Sequence, residues 1–298
     1  MSGGFRARLL ESGLLHATDV DGLYIRSGTF ESIVAGVDHL VSLAGVDQAA
    51  PVLHFPPFIS RRVLEKSGYL RSFPDLVGSI DVFTGDDETH AVLVERLDEG
   101  EDWTELLAPS ELALCSAACH PLYPLCRGEL PPGGKRFEVF GHCFRHEPSL
   151  DPARMQSFRQ HEFVYVGEPS GAVAHRDLWL GRSAELLAGL GLDVERVVAN
   201  DPFFGRGGRI LAASQRSEEL KYEVVCPTGD ATATTAVSSS NYHLDHFGAG
   251  FSITTAEGET AHSACVGFGV ERIALALLYR HGLEPERWPV EVRESLWS

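Results

Sequence analysis

RFEVFGHCFRHEPSLDPARMQSFRQHEFVYV, residues 136–166, carries the reading of the fold. Both ends are rich in Phe, Val and Tyr, which predicts strands over 136–146 and 159–166. The segment between them, Glu147 to Gln156, is polar and holds two prolines. The whole therefore reads as an antiparallel pair joined by a long loop. Side chains alternate along a strand, so Arg145 and Glu147 share a face if the first strand runs that far. A guanidinium there can fork onto a phosphate, and a carboxylate can accept from the exocyclic amine of adenine. The same two residues also fit a solvated ion pair of little energetic weight.

Short strands are expected on either side of this pair, at 78–84, 90–95, 194–199, 221–226, 233–240 and 250–255. Phe55 to Leu70 has a Pro-Pro start, a helical middle and a Gly stop near Gly68. A helix is expected over 172–191, ending at Gly191. A Gly-rich turn, Gly267-Phe-Gly269, then leads into an apolar helix over about 270–281. Scattered antiparallel strands with segregated helices predict an α+β domain, not a doubly wound sheet. Residues 1–50 form a segment whose role the sequence does not disclose, and 51–298 form the main domain.

The helix after Gly267-Phe-Gly-Val-Glu-Arg272 is apolar on nearly every side, so it is buried. Arg272 in its first turn opposes the helix dipole and calls for an anionic partner. A bound triphosphate would supply one. Glycines permit close backbone approach, although core packing explains a lone Gly-x-Gly equally well.

The chain has 298 residues, with 44% hydrophobic and 22% charged, as a folded globular protein requires. Net charge is −17, from 42 acidic and 25 basic residues. Nucleic-acid binding needs a basic face, so this balance argues against RNA or DNA as partner. No signal peptide is evident, and no stretch approaches the roughly 18 apolar residues of a membrane helix. A soluble, cytoplasmic protein without a membrane span is expected. Taken singly, each of the six cysteines reads as a small buried hydrophobe rather than part of a disulfide framework.

Taken together, the motifs resemble a known superfamily. Phe144-Arg-His-Glu147 with Ser157-Phe-Arg-Gln-His-Glu-Phe163 resembles motif 2 of class II aminoacyl-tRNA synthetases, and Gly267-Phe-Gly-Val-Glu-Arg272 resembles motif 3. Pro56-Pro-Phe-Ile-Ser-Arg through Ser72-Phe-Pro74 is similar to the motif 1 region of the seryl type. The resemblance covers roughly residues 52–298 in the expected order. It implies an antiparallel sheet flanked by helices, a homodimer built through motif 1, and ATP bound with Mg2+. The ATP contacts it implies are Arg145, Glu147, Arg154, Met155, Lys221, Glu223, Ala236, Val237, Ser238, Ser239 and Arg272. Arg145 and Arg272 would be catalytic and Glu223 would face the magnesium. Glu162, Ser240 and Asn241 would meet the amino acid.

A narrower resemblance rests on Ala117-Ala-Cys119-His-Pro-Leu-Tyr-Pro124, Asp151-Pro-Ala-Arg154, Asp201-Pro-Phe-Phe-Gly-Arg206 and Ala261-His-Ser-Ala-Cys265. These look like the amino acid:carrier protein ligases, truncated relatives of the zinc-dependent seryl-tRNA synthetases of methanogens. The resemblance implies that the chain activates a small amino acid, glycine or alanine by default, and loads it onto the phosphopantetheine thiol of a carrier protein. It also implies one Zn2+ on Cys119, Glu162 and Cys265, a donor set with an open fourth position. Cys115, four residues before Cys119, is the rival ligand, and a packing role is preferred for it. No coiled coil or appended domain for tRNA is seen. A stand-alone synthetase paralogue acting on tRNA and a non-catalytic regulatory paralogue are the alternative readings. A carrier is expected to dock where Phe203, Phe204, Arg206 and Arg209 join aromatics to cations without an acidic residue. An ordinary surface loop fits that segment as well.

Overall fold

A seven-stranded sheet organises the chain. The computed structural model describes residues 4–201, 204, 212–213, 215–230 and 234–298. The strands are β1 (Val52–Phe55), β2 (Lys135–Phe144), β3 (Ser157–Gly167), β4 (Glu195–Val198), β5 (Lys221–Cys226), β6 (Thr235–Tyr242) and β7 (His262–Gly269). Their order across the sheet is β4-β5-β6-β7-β3-β2-β1. All pairs are antiparallel except β1 with β2, which is parallel. The long-loop pair expected over 136–166 is β2–β3, with Phe144 opposite Ser157. The α+β class is therefore the observed one.

The back of the sheet is covered by helices α1 (Gly28–Gly45), α3 (Pro169–Gly189) and α4 (Val270–His281). Alternation along β3 and β7 sends Phe163, Val266 and Phe268 to this side, where they join Trp179 of α3 in the principal core. The rings of Phe163 and Trp179 stack with centroids 3.9 Å apart. Each such buried side chain is worth about 1.5–3 kcal/mol of transfer free energy. Helix α1 starts at Ser27, whose hydroxyl accepts from the N–H of Phe30. It buries Phe30, Ile33, Val34, Val37 and Val41 at helical spacing in the same core. A Cβ on Gly45 would stand 2.1 Å from the Phe163 ring, so only glycine lets α1 approach this closely. Leading residues of the chain are thus built into the main core.

Four expectations need correction. Residues 90–95 are not a strand but part of helix α2 (Asp87–Glu99). Asp86 caps it by accepting from Thr89 N, Asp87 and Glu88 complement its dipole, and Gly100 ends it in the left-handed region. These terminal signals outweigh the apolar run Ala-Val-Leu-Val with its two β-branched valines. Gly267-Phe-Gly269 is the last part of strand β7, not a turn. Much of 250–255 is not extended: a short helix, His246–Phe251, precedes a strand of only Ile253–Thr254. Finally, residues 28–48 do form a helix long and apolar enough to cross a membrane, with mean hydropathy 1.2. Its buried stripe faces α4 and helix α5 (Val290–Trp297), which accounts for that apolarity within the fold.

Candidate active site

The front of the sheet is polar at its centre because neighbouring strands place their polar residues in register. Glu223 of β5 lies opposite Ser239 of β6, Ser239 opposite Gly267 of β7, and Gly267 opposite Glu162 of β3. One row over, Lys221 pairs with Asn241 and Asn241 with Cys265. Gly267 carries no side chain, so a gap opens between Ser239 and Glu162. Apolar Val139, Val164 and Phe247 close the floor beside it.

Cys119 reaches this face from the turn before a 3-10 helix, His120–Cys126. Its sulfur, a Glu162 carboxylate oxygen and the Cys265 sulfur all lie within 4.8 Å of one another, and all three residues are buried. Glu162 Oε2 has no hydrogen-bond partner among the described residues. Three acids this close in apolar surroundings interfere with one another. The hydrogen bond to Cys265 and burial push the Cys119 thiol well up, whereas that same bond pulls Cys265 well down. Burial and then the Cys265 sulfur push the Glu162 carboxyl well up. Without a cation the trio thus favours a single shared negative charge; a divalent ion would let all three ionise. Two thiolates and a carboxylate suit zinc, and the unpartnered Oε2 is the atom such an ion would satisfy. The residues present therefore fit the metal.

Cys115 stands apart from the trio. It directly follows the strand Leu107–Leu114 rather than lying on a helical face shared with Cys119, and its thiol donates to the carbonyl of Ala117 at 3.2 Å. Its own sulfur partner is Cys143, which in turn donates to Gln160 Oε1 at 2.9 Å.

Charged residues surround the gap. Strand β2 ends at Phe144, so Arg145 and Glu147 lie just past it, with the N–H of Arg145 still bonded to the carbonyl of Gln156. The Arg145 guanidinium stacks over Phe158 at 5.3 Å, and its Nε is buried without a partner among the described residues. Burial opposes its charge, but Tyr69, Cys143, Glu147 and Asp201 together hold its pKa above the usual value. Arg154 meets Glu147 at 3.5 Å on the exposed side of the loop. Lys221 Nζ bridges Asp201 at 2.5 Å and Glu223 at 3.0 Å. Arg272 donates from Nε to the carbonyl of Ala153 at 2.8 Å and from a terminal nitrogen to that of Ala236 at 3.0 Å. Burial and nearby Arg145 pull it down to about 10, so it stays charged at neutral pH.

Some of the expected residues are not brought to this face. Ser238 and Ser240 alternate to the back of β6, where their hydroxyls are buried without partners among the described residues. Val237 and Met155 are core side chains. Phe203, Arg206 and Arg209 lie outside the described residues, and Phe204 is 59% exposed with its N–H bonded to the carbonyl of Ser72.

Other residues were not anticipated. Gln160 shares the front face with Glu162, two positions away, and alternation alone could have revealed it. Tyr69 comes from the helical stretch after Pro56 and is coupled to Arg145; burial raises its hydroxyl to about 12. Behind the sheet, buried Glu271 accepts from the N–H and Nε of Arg159, both at 2.7 Å, and from Arg26 at 3.0 Å. Arg159 also forks onto both oxygens of Glu31. No local sequence signal links these four residues.

No family model matches the chain. It is 42% identical over 289 residues to amino acid–[acyl-carrier-protein] ligase 1 of Bradyrhizobium diazoefficiens, covering 96% of this chain and 88% of that protein. The chain belongs to the amino acid–[acyl-carrier-protein] ligase family, and it is an enzyme of the ligase class. Ligase 2 of the same organism is 41% identical to it over 96% of this chain and 86% of the relative. More distant is the type-2 serine–tRNA ligase of Methanopyrus kandleri, 32% identical over 64% of this chain and 39% of that protein. Among solved structures, M. kandleri SerRS in complex with A. aeolicus tRNASec superposes with a TM-score of 0.84 at 24% identity. It matches 99% of the ligase, which spans 60% of that synthetase. Cytoplasmic serine-tRNA ligase from Naegleria fowleri with AMP gives 0.72 at 13% identity, over 98% of the ligase and 59% of that chain. The fold of the ligase is thus the class II synthetase fold.

Proposed function

We propose that the ligase activates a small amino acid, glycine or alanine, as its aminoacyl-adenylate, then passes it to the phosphopantetheine thiol of a carrier protein. What carries the reading is the meeting of Cys119, Glu162 and Cys265 within 4.8 Å, on the sheet face that also presents Lys221 and Glu223. Its support in kinship is the 42% identity to a protein named as an amino acid–[acyl-carrier-protein] ligase.

In the first step the amino acid carboxylate attacks the α-phosphorus of ATP in line. The bond to the bridging oxygen breaks and pyrophosphate leaves. The nucleophile is already an anion, so no base is needed, and catalysis is positioning and charge stabilisation. Arg145 holds the α-phosphate and Glu147 the adenine. Arg154 and Arg272 take the β- and γ-phosphates, and Glu223 meets the magnesium that travels with ATP. Ala236, Val237 and Ser239 border the nucleotide through the strand end. Cys119, Glu162 and Cys265 would hold zinc, which would supply Lewis acidity toward the substrate amine. Asn241 faces the same space. In the second step the thiol sulfur attacks the carbonyl carbon of the mixed anhydride, its proton leaves to solvent, and AMP departs.

The working form is a homodimer assembled through the region Phe55–Pro74, and it acts in the cytoplasm. The carrier docks around Phe203, Phe204, Arg206 and Arg209. A net charge of −17 opposes tRNA as the acceptor. Residues 51–298 supply the catalytic groups, and the first fifty brace them through Glu31 and Arg26. ATP–pyrophosphate exchange measured against a panel of amino acids tests the activation step. Glycine or alanine should support exchange; a panel in which no amino acid does so overturns the reading.

A further inference from the structure

The sulfur of Cys265 has polar neighbours beyond the trio. His243 places Nε2 3.5 Å from it, and Asn241 places Nδ2 at 3.6 Å. Both approach within the range of N–H···S hydrogen bonds to a thiolate. His243 does not belong to the group of donor atoms that converge within 4.8 Å, so it touches the edge of that group at one sulfur only. Its ring is fixed from other directions. Nδ1 lies 3.0 Å from the hydroxyl of Ser263, a residue with no exposed surface. The ring stands edge-on to Phe247, centroids 4.9 Å apart at 83°. Its backbone N–H bonds to the carbonyl of Ser263 at 2.9 Å, continuing the β6–β7 pairing past Tyr242.

We propose that His243 is a positioning residue for Cys265, donating from Nε2–H to the sulfur while Ser263 holds the opposite ring nitrogen. This rests on the reading of Cys119, Glu162 and Cys265 as a zinc site. Two consequences follow for the sulfur. Its direction is set toward Cys119 and Glu162 instead of being free to rotate. Its charge is partly shared with the donors, so it gives less to a bound cation and leaves that cation more acidic toward the substrate amine. In this arrangement the Ser263 hydroxyl donates to Nδ1, which leaves the ring proton on Nε2. Asn241 supplies the second donor, and its position opposite Cys265 in the β6–β7 register makes that contact a product of strand pairing.

The test uses the full chain with zinc, and separately with cobalt(II) as a coloured substitute. Zinc affinity is read by competition with a chromophoric chelator, and the sulfur-to-cobalt charge-transfer band by absorption. Wild type should bind about one zinc, as a three-ligand site implies. His243→Ala should bind it about 10–100-fold more weakly, the usual cost of losing an outer hydrogen-bond partner, because the lost positioning of the sulfur outweighs its stronger donation. Its charge-transfer band should move to lower energy, because the sulfur regains electron density. His243→Gln, whose amide keeps an N–H donor, should restore most of the affinity. Ser263→Ala, a change that leaves the backbone pairing intact, should fall between wild type and His243→Ala. Unchanged affinity and an unchanged band in His243→Ala, with wild type loaded, would overturn the role of His243 alone. A wild-type chain that takes up neither metal would instead overturn the zinc reading beneath it.

Discussion

Arg272 Nε donates to the carbonyl oxygen of Ala153 at 2.8 Å, tying the first turn of α4 to the end of the loop that joins β2 to β3. A second bond, to the carbonyl of Ala236, ties the same guanidinium to strand β6. Three segments distant in sequence thus meet at one cation. Its remaining donors are oriented before any anion arrives, which is the condition for strong electrostatic stabilisation.

Replacing Arg272 with Ala should therefore lower pyrophosphate exchange by about 10²–10³-fold, the usual loss for a preorganised charged contact. Arg272→Lys should recover little, since an ammonium cannot reproduce the fork between the two carbonyls. Steady-state exchange rates at saturating ATP check this, and near-wild-type exchange in Arg272→Ala would remove Arg272 from the phosphate site.

The metal assignment separates the cysteines. Cys119→Ser or Cys265→Ser should leave purified protein without zinc, while Cys115→Ser should keep it, because Cys115 is engaged with Ala117 and Cys143. Atomic emission of the three variants gives the answer. Full zinc in Cys119→Ser would contradict the ligand set.

Glu271 is 2% exposed and neutralised by Arg159 and Arg26. Its loss leaves Arg159, itself largely buried, with only Glu31 for a side-chain partner among the described residues. Glu271→Ala should cost about 3–5 kcal/mol of stability, as breaking a buried pair does. Urea unfolding measures it, with an unchanged midpoint as the contrary result. Glu31→Gln should cost less, since Glu31 is more exposed than Glu271.

How far the sequence discloses this arrangement depends on the range of each signal. The β2–β3 pair, the α3 helix and the buried α4 helix were legible because each is written in local periodicity and punctuation. The trio Cys119, Glu162 and Cys265 came from resemblance to a family; spacing alone left each cysteine as a core residue. Helix α2 was misread because Ala-Val-Leu-Val looks extended unless Asp86 and Gly100 are weighed as caps. Ser238 and Ser240 were assigned to the site with their neighbours, although period-two alternation sends them to the opposite face from Ser239. The links of Glu31 and Arg26 to Arg159 and Glu271 join the start of helix α1 to β3 and α4. Nothing local predicts a contact of that kind.

His161 sits between Asp38 at 2.6 Å and Glu138 at 3.0 Å. Burial works against its charge, but the two carboxylates outweigh it and raise its pKa above the ordinary histidine value. A group raised on folding stabilises fully below its unfolded pKa, and that contribution fades as pH rises through the folded value. The stability of wild type over His161→Gln should therefore be largest near pH 6 and shrink toward pH 9. Paired urea titrations at the two pH values check the sign; a difference that grows with pH would show that the imidazole is neutral in the fold.

The activated amino acid is expected to pass to a carrier thiol. Incubating the ligase with ATP, labelled glycine or alanine, and either a phosphopantetheinylated carrier protein or total tRNA tests it directly. Label should appear on the carrier as a thioester released by neutral hydroxylamine, should be absent from a carrier lacking phosphopantetheine, and should not accumulate on tRNA. Label on tRNA with none on the carrier would contradict the account.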